Sequence, residues 1–343
     1  MPFAVLLLGC GGVNLASSRL RGIRVTAGVL LLVFTVSARA QYLYSETFRE
    51  TTAPGWILAG DDPGTPAPVL TAAQGIDPSG NGWLRLTSNA NNQSAYAFLN
   101  SAIRTPSSFS ISFEYAMWNG SGADGISFFL FDATTPSPSP GSFGGSLGYA
   151  QRTGMEGVAG GWLGVGLDNF GNFSNPTEGR IGGPGFIPNS ITVRGSGNST
   201  TGYNYLAMAN LDSIGQMDFP TYTTRPVQTG VDYRKVNLDF SSNNTLTVTM
   251  QFGAAGTPQT LISSYNLNTA SNQVARPELL GIGFAAATGG STDIHEIRNL
   301  VITSSLPLVP ELSSWLIAVT GLGAAVAARW LAGRCRNQTA IPA

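Results

Sequence analysis

The sequence predicts an all-β chain folded as an antiparallel sandwich in one domain. Three observations carry that expectation. Short segments with an apolar residue at every second position recur along the chain, as in strands with one buried and one wet face. Gly, Asn and Pro punctuate them, with 43 glycines among 343 residues. Between residues 41 and 305 no stretch shows a helical apolar period of useful length.

The elements follow in order. Trp83-Leu-Arg-Leu-Thr87 and Ala95-Tyr-Ala-Phe-Leu99 are the first strands read. Phe109, Ile111, Phe113 and Tyr115 then alternate with Ser110, Ser112 and Glu114, a period of two. Ile126 to Phe131 is continuously apolar, as expected of a central strand. In the next run Leu163, Val165 and Leu167 share one face, and the run ends at Asp168 in a Gly/Asn-rich loop. Ile191-Thr-Val-Arg194 follows a long Gly/Pro loop. Val236 to Phe240, a turn at Asn243-Asn244, and Leu246, Val248, Met250 and Phe252 between threonines read as a hairpin. Leu279 to Ala287 and Ile297 to Thr303 close the domain.

Composition excludes several function classes. Charged residues make up 11% and the formal net charge is -1, so no basic excess recruits nucleic acid. The apolar fraction of 43% argues against disorder, and the abundance of Gly, Ser, Thr and Asn suits a secreted β-rich protein. Cys10 and Cys335 lie in the terminal segments with none between, which excludes a disulfide framework and a Cys zinc site. His295 is the single histidine, and at the start of an apolar strand it reads as structural. Retaining glycoside hydrolysis needs two carboxyl groups about 5–5.5 Å apart. A Glu/Asp-x-Glu/Asp pattern inside a strand places them on one face. No strand carries one: Asp61-Asp62 reads as a turn, and Asp293 and Glu296 have the wrong spacing. The chain is therefore expected not to be an enzyme.

The two ends read as addresses. Arg19, Arg21 and Arg24 precede the apolar run Val29 to Phe34, which closes at the small-x-small pattern Ala38-Arg-Ala40. Residues 1–40 thus read as a signal-peptide region, with the mature chain beginning near Gln41. The segment before Arg19 is unusual in a signal and fits a start codon placed too early. At the other end, residues 306–343 hold Val309-Pro-Glu-Leu312, an apolar stretch from Trp315 to Ala328, and Arg329, Arg334 and Arg336. The stretch is short of the roughly 20 residues of a membrane span, and the basic cluster would stay cytoplasmic. This tail resembles the PEP-CTERM sorting signal of Gram-negative bacteria, with Leu312 at the usual second proline. The resemblance implies transient anchoring at the inner membrane, removal by an exosortase-type protease, and delivery to the cell surface or extracellular matrix. An ordinary C-terminal anchor helix is the plainer alternative.

Asp168 and Asn172 leave their strand four residues apart. That spacing can aim two side-chain oxygens and an intervening carbonyl at one point, an arrangement that suits Ca2+. The plainer alternative is an Asp/Asn pair capping its own loop.

Four segments, in order, resemble the L-type (legume-like) lectins and their bacterial relatives. They are Gly122-Ala-Asp-Gly-Ile-Ser-Phe-Phe-Leu130, Gly144-Gly-Ser-Leu-Gly148, the Asp168, Phe170, Asn172 series, and Gly283-Phe-Ala-Ala-Ala-Thr-Gly-Gly-Ser-Thr-Asp-Ile-His-Glu-Ile297. The resemblance implies a concanavalin-like jelly roll and a non-catalytic carbohydrate-binding function. It implies a cis Ala123–Asp124 peptide, with Asp124 accepting sugar hydroxyls and an N–H of Gly144 or Gly145 donating. It further places Phe170, Asn172, Gly290 and Ser291 against the sugar. Calcium would be held by Asp168, Phe170 and Asn172, with Asn175 or Glu178 replacing an absent second Asp. The transition-metal site of the plant members is expected to be missing, because Gly166 stands where they have Glu and their downstream His has no counterpart. The chemistry is coherent. A carboxylate, backbone N–H groups and a carboxamide saturate two or three hydroxyls, and Phe170 or Phe173 covers the apolar sugar face. Such shallow sites hold ligand by about 4 kcal/mol and gain strength through multivalency. The implied partner is a cell-surface or extracellular-matrix polysaccharide. A structural or adhesion matrix protein on the same fold, without sugar binding, is the alternative.

Overall fold

The computed structural model describes residues 41–60, 65–136 and 139–304, all within one compact unit. The signal-peptide and sorting-tail expectations, and Asp61-Asp62, lie outside the described residues. In chain order the first strands are β1 (Gln41–Glu46), β2 (Trp56–Gly60), β3 (Val69–Leu70), β4 (Leu84–Thr87), β5 (Ser94–Leu99) and β6 (Ile103–Arg104). The long central strands β7 (Phe109–Trp118), β8 (Gly125–Asp132) and β9 (Gly161–Asp168) follow. Next come β10 (Ser190–Arg194), β11 (Gly197–Asn198), β12 (Thr201–Gly202) and β13 (Tyr205–Asn210). The chain then forms β14 (Arg234–Phe240), β15 (Thr245–Phe252), β16 (Gln259–Asn266), β17 (Leu279–Ala287) and β18 (Ile294–Ser304).

Two antiparallel sheets result. One runs β16-β15-β14-β7-β18-β4-β3, with β1 also pairing β18. The other runs β12-β11-β9-β8-β17-β5-β2, with β10 between β9 and β13, and β6 on β17. This is the sandwich the period-two pattern predicts. Phe109, Ile111, Phe113 and Tyr115 of β7 are all buried between the sheets, as are Val236 and Leu238 of β14 and Val248 and Met250 of β15. From the opposing sheet come Phe128 of β8, Val165 and Leu167 of β9, and Phe284 of β17. Each such side chain contributes about 1.5–3 kcal/mol when fully buried. Among the described residues, no helix is long and apolar enough to cross a membrane.

β8 is apolar on both faces because both are covered. Ile126, Phe128 and Leu130 face the inter-sheet core, while Phe129 and Phe131 join a second cluster on the outer face. Leu147, Tyr149, Phe173 and Tyr203 join that cluster. They arrive from the connections after β8, β9 and β12, which fold back over the sheet. This second layer positions the candidate site.

Candidate functional site

The register of the strands brings four strand ends into line. Ala287 pairs with Gly125, Gly125 with Asp168, and Asp168 with Ser190. Three of the segments singled out in the sequence leave these ends, and the fourth, Gly144 to Gly148, reaches them from the connection between β8 and β9. They enclose a cleft of about 250 Å³. Asp124, Gly144, Gly145, Phe170, Asn172, Gly290 and Ser291 all line it, together with Glu178. Gly289, within the fourth segment, and Asn92, Phe143 and Arg152, which were not singled out in the sequence, complete the lining. They reach the cleft through loop packing: Asn92 N–H donates to the Gly289 carbonyl (3.1 Å), and the Arg152 guanidinium lies 4.5 Å from the Phe143 ring. No local motif announces such contacts.

Asp124 forms the floor. The Ala123–Asp124 peptide is cis. The Asp124 N–H donates to the Ala287 carbonyl (3.1 Å), and its carbonyl accepts from Phe170 N–H (3.1 Å). The side chain is buried, and its Oδ2 has no hydrogen-bond partner. Burial pushes its carboxyl up to about 7, with Arg180 pulling down, Glu178 pushing up and Arg152 pulling down. An unsatisfied buried acceptor costs about 1–3 kcal/mol, which a donor on a ligand would recover. Above the floor, the Arg152 guanidinium donates to Glu178 (2.8 Å). Phe170 meets the exposed Phe186 edge to face at 5.4 Å.

Three of the donors expected to hold calcium, Asp168, Asn172 and Glu178, have partners of their own. Asp168 is fully buried, and its carboxylate accepts the N–H groups of Gly171 (2.8 Å), Phe173 (2.7 Å) and Ser174 (3.3 Å). A carboxylate offers about four lone-pair sites, so three are used. Burial pushes this carboxyl up to about 7 against the pull of those N–H groups. Glu178 is shared between Arg152 and Arg180. The side-chain oxygen of Asn172 faces the amide of Asn175 at 3.4 Å. Among the described residues, no three acidic, His or Cys side chains come together as a metal cage. A Cβ at Gly166 would overlap the Phe173 ring and stand 2.9 Å from Leu147, so aromatic carbon fills the room of the plant members' Glu. This set of donors does not fit a divalent ion, and the capping reading describes Asp168.

Two further buried groups lie beneath or beyond the cleft. The Asn169 amide donates to Asp218 (2.7 Å) and Asp293 (3.4 Å). Burial and then Asp218 push the Asp293 carboxyl up to about 8. His295 is fully buried outside the cleft, with Nδ1 2.6 Å from the Thr87 hydroxyl. Burial holds its imidazole down at about 3 and hence neutral, as suits a structural histidine.

Comparison with known proteins follows this geometry. The family model described as "Legume lectin domain" matches residues 69–313. Solved structures of similar fold include the seed lectin isoform of Lotus tetragonolobus, 19% identical, at a TM-score of 0.50 over 76% of this chain and 97% of that one. Peanut lectin with a 9mer peptide is 22% identical, at 0.48 over 76% and 97%. The exoplasmic/lumenal domain of VIP36 in its Ca2+/Man3GlcNAc-bound form is 16% identical, at 0.48 over 78% and 93%. No curated protein sequence matches. At 19% identity the likeness to the Lotus tetragonolobus lectin speaks for the fold alone. The family match covers most of the chain, and with the sandwich and its four aligned loops the conclusion is plain: the chain belongs to the legume lectin domain family.

Proposed function

We propose that this protein is an exported, non-catalytic lectin that binds carbohydrate in the cleft above Asp124. One observation carries the reading: Asp124 lines the cleft, and its buried carboxylate oxygen Oδ2 has no hydrogen-bond partner. A sugar hydroxyl complements it, donating one hydrogen and offering lone pairs to the Gly145 N–H and the Asn172 amide. Gly290 and Ser291 form another wall, and Phe170 offers a ring to the apolar sugar face. The ligand we infer is a cell-surface or extracellular-matrix polysaccharide, bound weakly at each site and strengthened by multivalency. Residues 1–40 act in this reading as a secretory signal. Residues 306–343 act as a PEP-CTERM-like tail of bacterial type, cut by an exosortase-type protease at the inner membrane. Both assignments rest on the sequence.

A glycan array on the purified protein, with calcium and with chelator, tests the proposal. Asp124→Asn replaces one acceptor oxygen by a donor at constant shape, and we expect at least a tenfold loss of binding, the equivalent of about 1.4 kcal/mol. A folded wild type that binds no glycan in either buffer, or an Asp124→Asn protein that binds equally well, defeats the reading. Either result favours the structural or adhesion alternative.

A further inference from the structure

The loop that joins β9 to β10 is built around two cations of the chain's own. Arg194, at the end of β10, is fully buried. Its guanidinium donates to the backbone carbonyls of Phe173 (2.7 Å), Tyr203 (2.8 Å), Ile181 (3.0 Å) and Gly182 (3.4 Å). The Phe173 ring lies 5.3 Å from the guanidinium carbon. Arg180, also buried, donates to the Ser146 hydroxyl (3.0 Å), the Asn175 carbonyl (3.2 Å), the Thr177 hydroxyl (3.1 Å) and Glu178 (3.1 Å). Arg194 thus gathers carbonyls from three stretches of the chain, and Arg180 joins oxygens of its own loop to Ser146 of the preceding connection. Gathering distant oxygens round one positive centre is what a hard metal ion does for a loop. A buried charge is tolerated only when dipoles or counter-charges surround it, and here both do. Asp168 attracts both guanidinium groups across the loop.

We propose that Arg180 and Arg194 replace the divalent ion of this family. They hold residues 168–183 in shape, so the cleft is formed and binds its ligand without metal. Two independent features agree: the Phe173 ring fills the room beside Gly166, and backbone N–H groups occupy the Asp168 carboxylate. Arg180 further bonds Ser146, so one guanidinium ties the Asn172 loop to the Gly144–Ser146 turn across the cleft. The claim about the loop stands without sugar binding. Only its consequence, metal-independent recognition, rests on the proposed function.

The test uses the full chain, stripped with chelator and titrated with Ca2+ alone by calorimetry and thermal unfolding. We expect no saturable heat and the same Tm in calcium and in chelator. A structural ion at a hundred times its Kd would raise Tm by about 5–10 °C, and that result overturns the proposal. Arg194→Met is expected to accelerate amide exchange across residues 170–183 while β7 and β14 stay protected, with no rescue by Ca2+. Unchanged protection of the loop, or rescue by Ca2+, also overturns it. If Arg194→Met does not fold, the wild-type calcium titration decides alone. Calcium-indifferent stability with no glycan bound defeats the lectin reading and leaves this one standing. Glycan binding that chelator abolishes does the reverse.

Discussion

Replacing Gly145 by alanine probes how the cleft is assembled. Gly145 lies outside the left-handed backbone region, so alanine meets no conformational penalty there. The obstacle is steric. A Cβ at residue 145 would overlap Asn172 Cβ and stand 3.2 Å from its Cγ and 3.3 Å from its Cα. Carbon contacts settle at about 3.5–4.0 Å. The nearest atoms belong to the root of the Asn172 side chain, so no rotamer change relieves the clash and the loop itself must shift. Overpacking of this kind costs about 1–3 kcal/mol. At about 2–4 °C per kcal/mol for a domain this large, Tm should fall by roughly 2–12 °C. Displaced Asn172 loses its bond to the ligand, worth about 1 kcal/mol, and the added methyl narrows the cleft. Against a site of about 4 kcal/mol, the affinity should drop tenfold or more. Gly230→Ala is the control, because a Cβ there meets nothing within 4 Å and the residue lies outside the cleft. Calorimetry with the glycan identified on the array, beside thermal unfolding of both variants, gives the answer. A Gly145→Ala protein with wild-type Tm and affinity refutes the close approach of the two loops as a requirement for binding.

Two further expectations concern stability. Phe284 is fully buried, with ring centroids of Phe113, Phe128 and Trp56 at 4.9, 5.3 and 6.2 Å, so Phe284→Ala should cost about 3–5 kcal/mol in denaturant unfolding. A loss below 1 kcal/mol would show that the sheets are not fastened through this cluster. Asp293, pushed up to about 8, binds its proton more tightly folded than unfolded. Its contribution is therefore complete below about pH 4, and is lost as the pH rises to about 8. Asp293→Asn should accordingly gain stability over the wild type as the pH is raised across that window, and parallel Tm curves would contradict the assignment.

The sheet centre was legible in the sequence and its margins were not. β7 declares itself through Phe109, Ile111, Phe113 and Tyr115, because one of its faces meets the core and the alternation is complete. β16 was not foreseen: Ile262 is its one buried residue, so little apolar signal reaches the sequence. β13 and the first two strands were missed likewise, each carrying a largely half-buried or mixed pattern. At the cleft, Asp124, Gly145, Asn172 and Gly290 were found because their segments keep motif order. Arg152 was not, since its place depends on how one loop lies upon another. Arg194 is the most instructive residue. It closes Ile191-Thr-Val-Arg194, and nothing in that pattern marks it for burial, yet it is fully buried because the β9–β10 connection folds back over that face. Strand periodicity reports on the face toward the core and says nothing of a second layer above.

The pairing of β1 with β18 sets Gln41 opposite Ser304. Ser291 of the cleft lies three residues before β18 begins, and that strand then runs its full length to Ser304. At about 3.3 Å per residue, the cleft and this pair of ends stand some 30 Å apart, at opposite poles of the domain. A tether attached at either pole-side residue would hold the mouth outward, and a second domain joined there would leave it open. Tension applied between residues 41 and 304 would load the β1–β18 ladder one rung at a time, as a zipper is opened. The first element to yield would be a margin strand, with the cleft and its loops still intact.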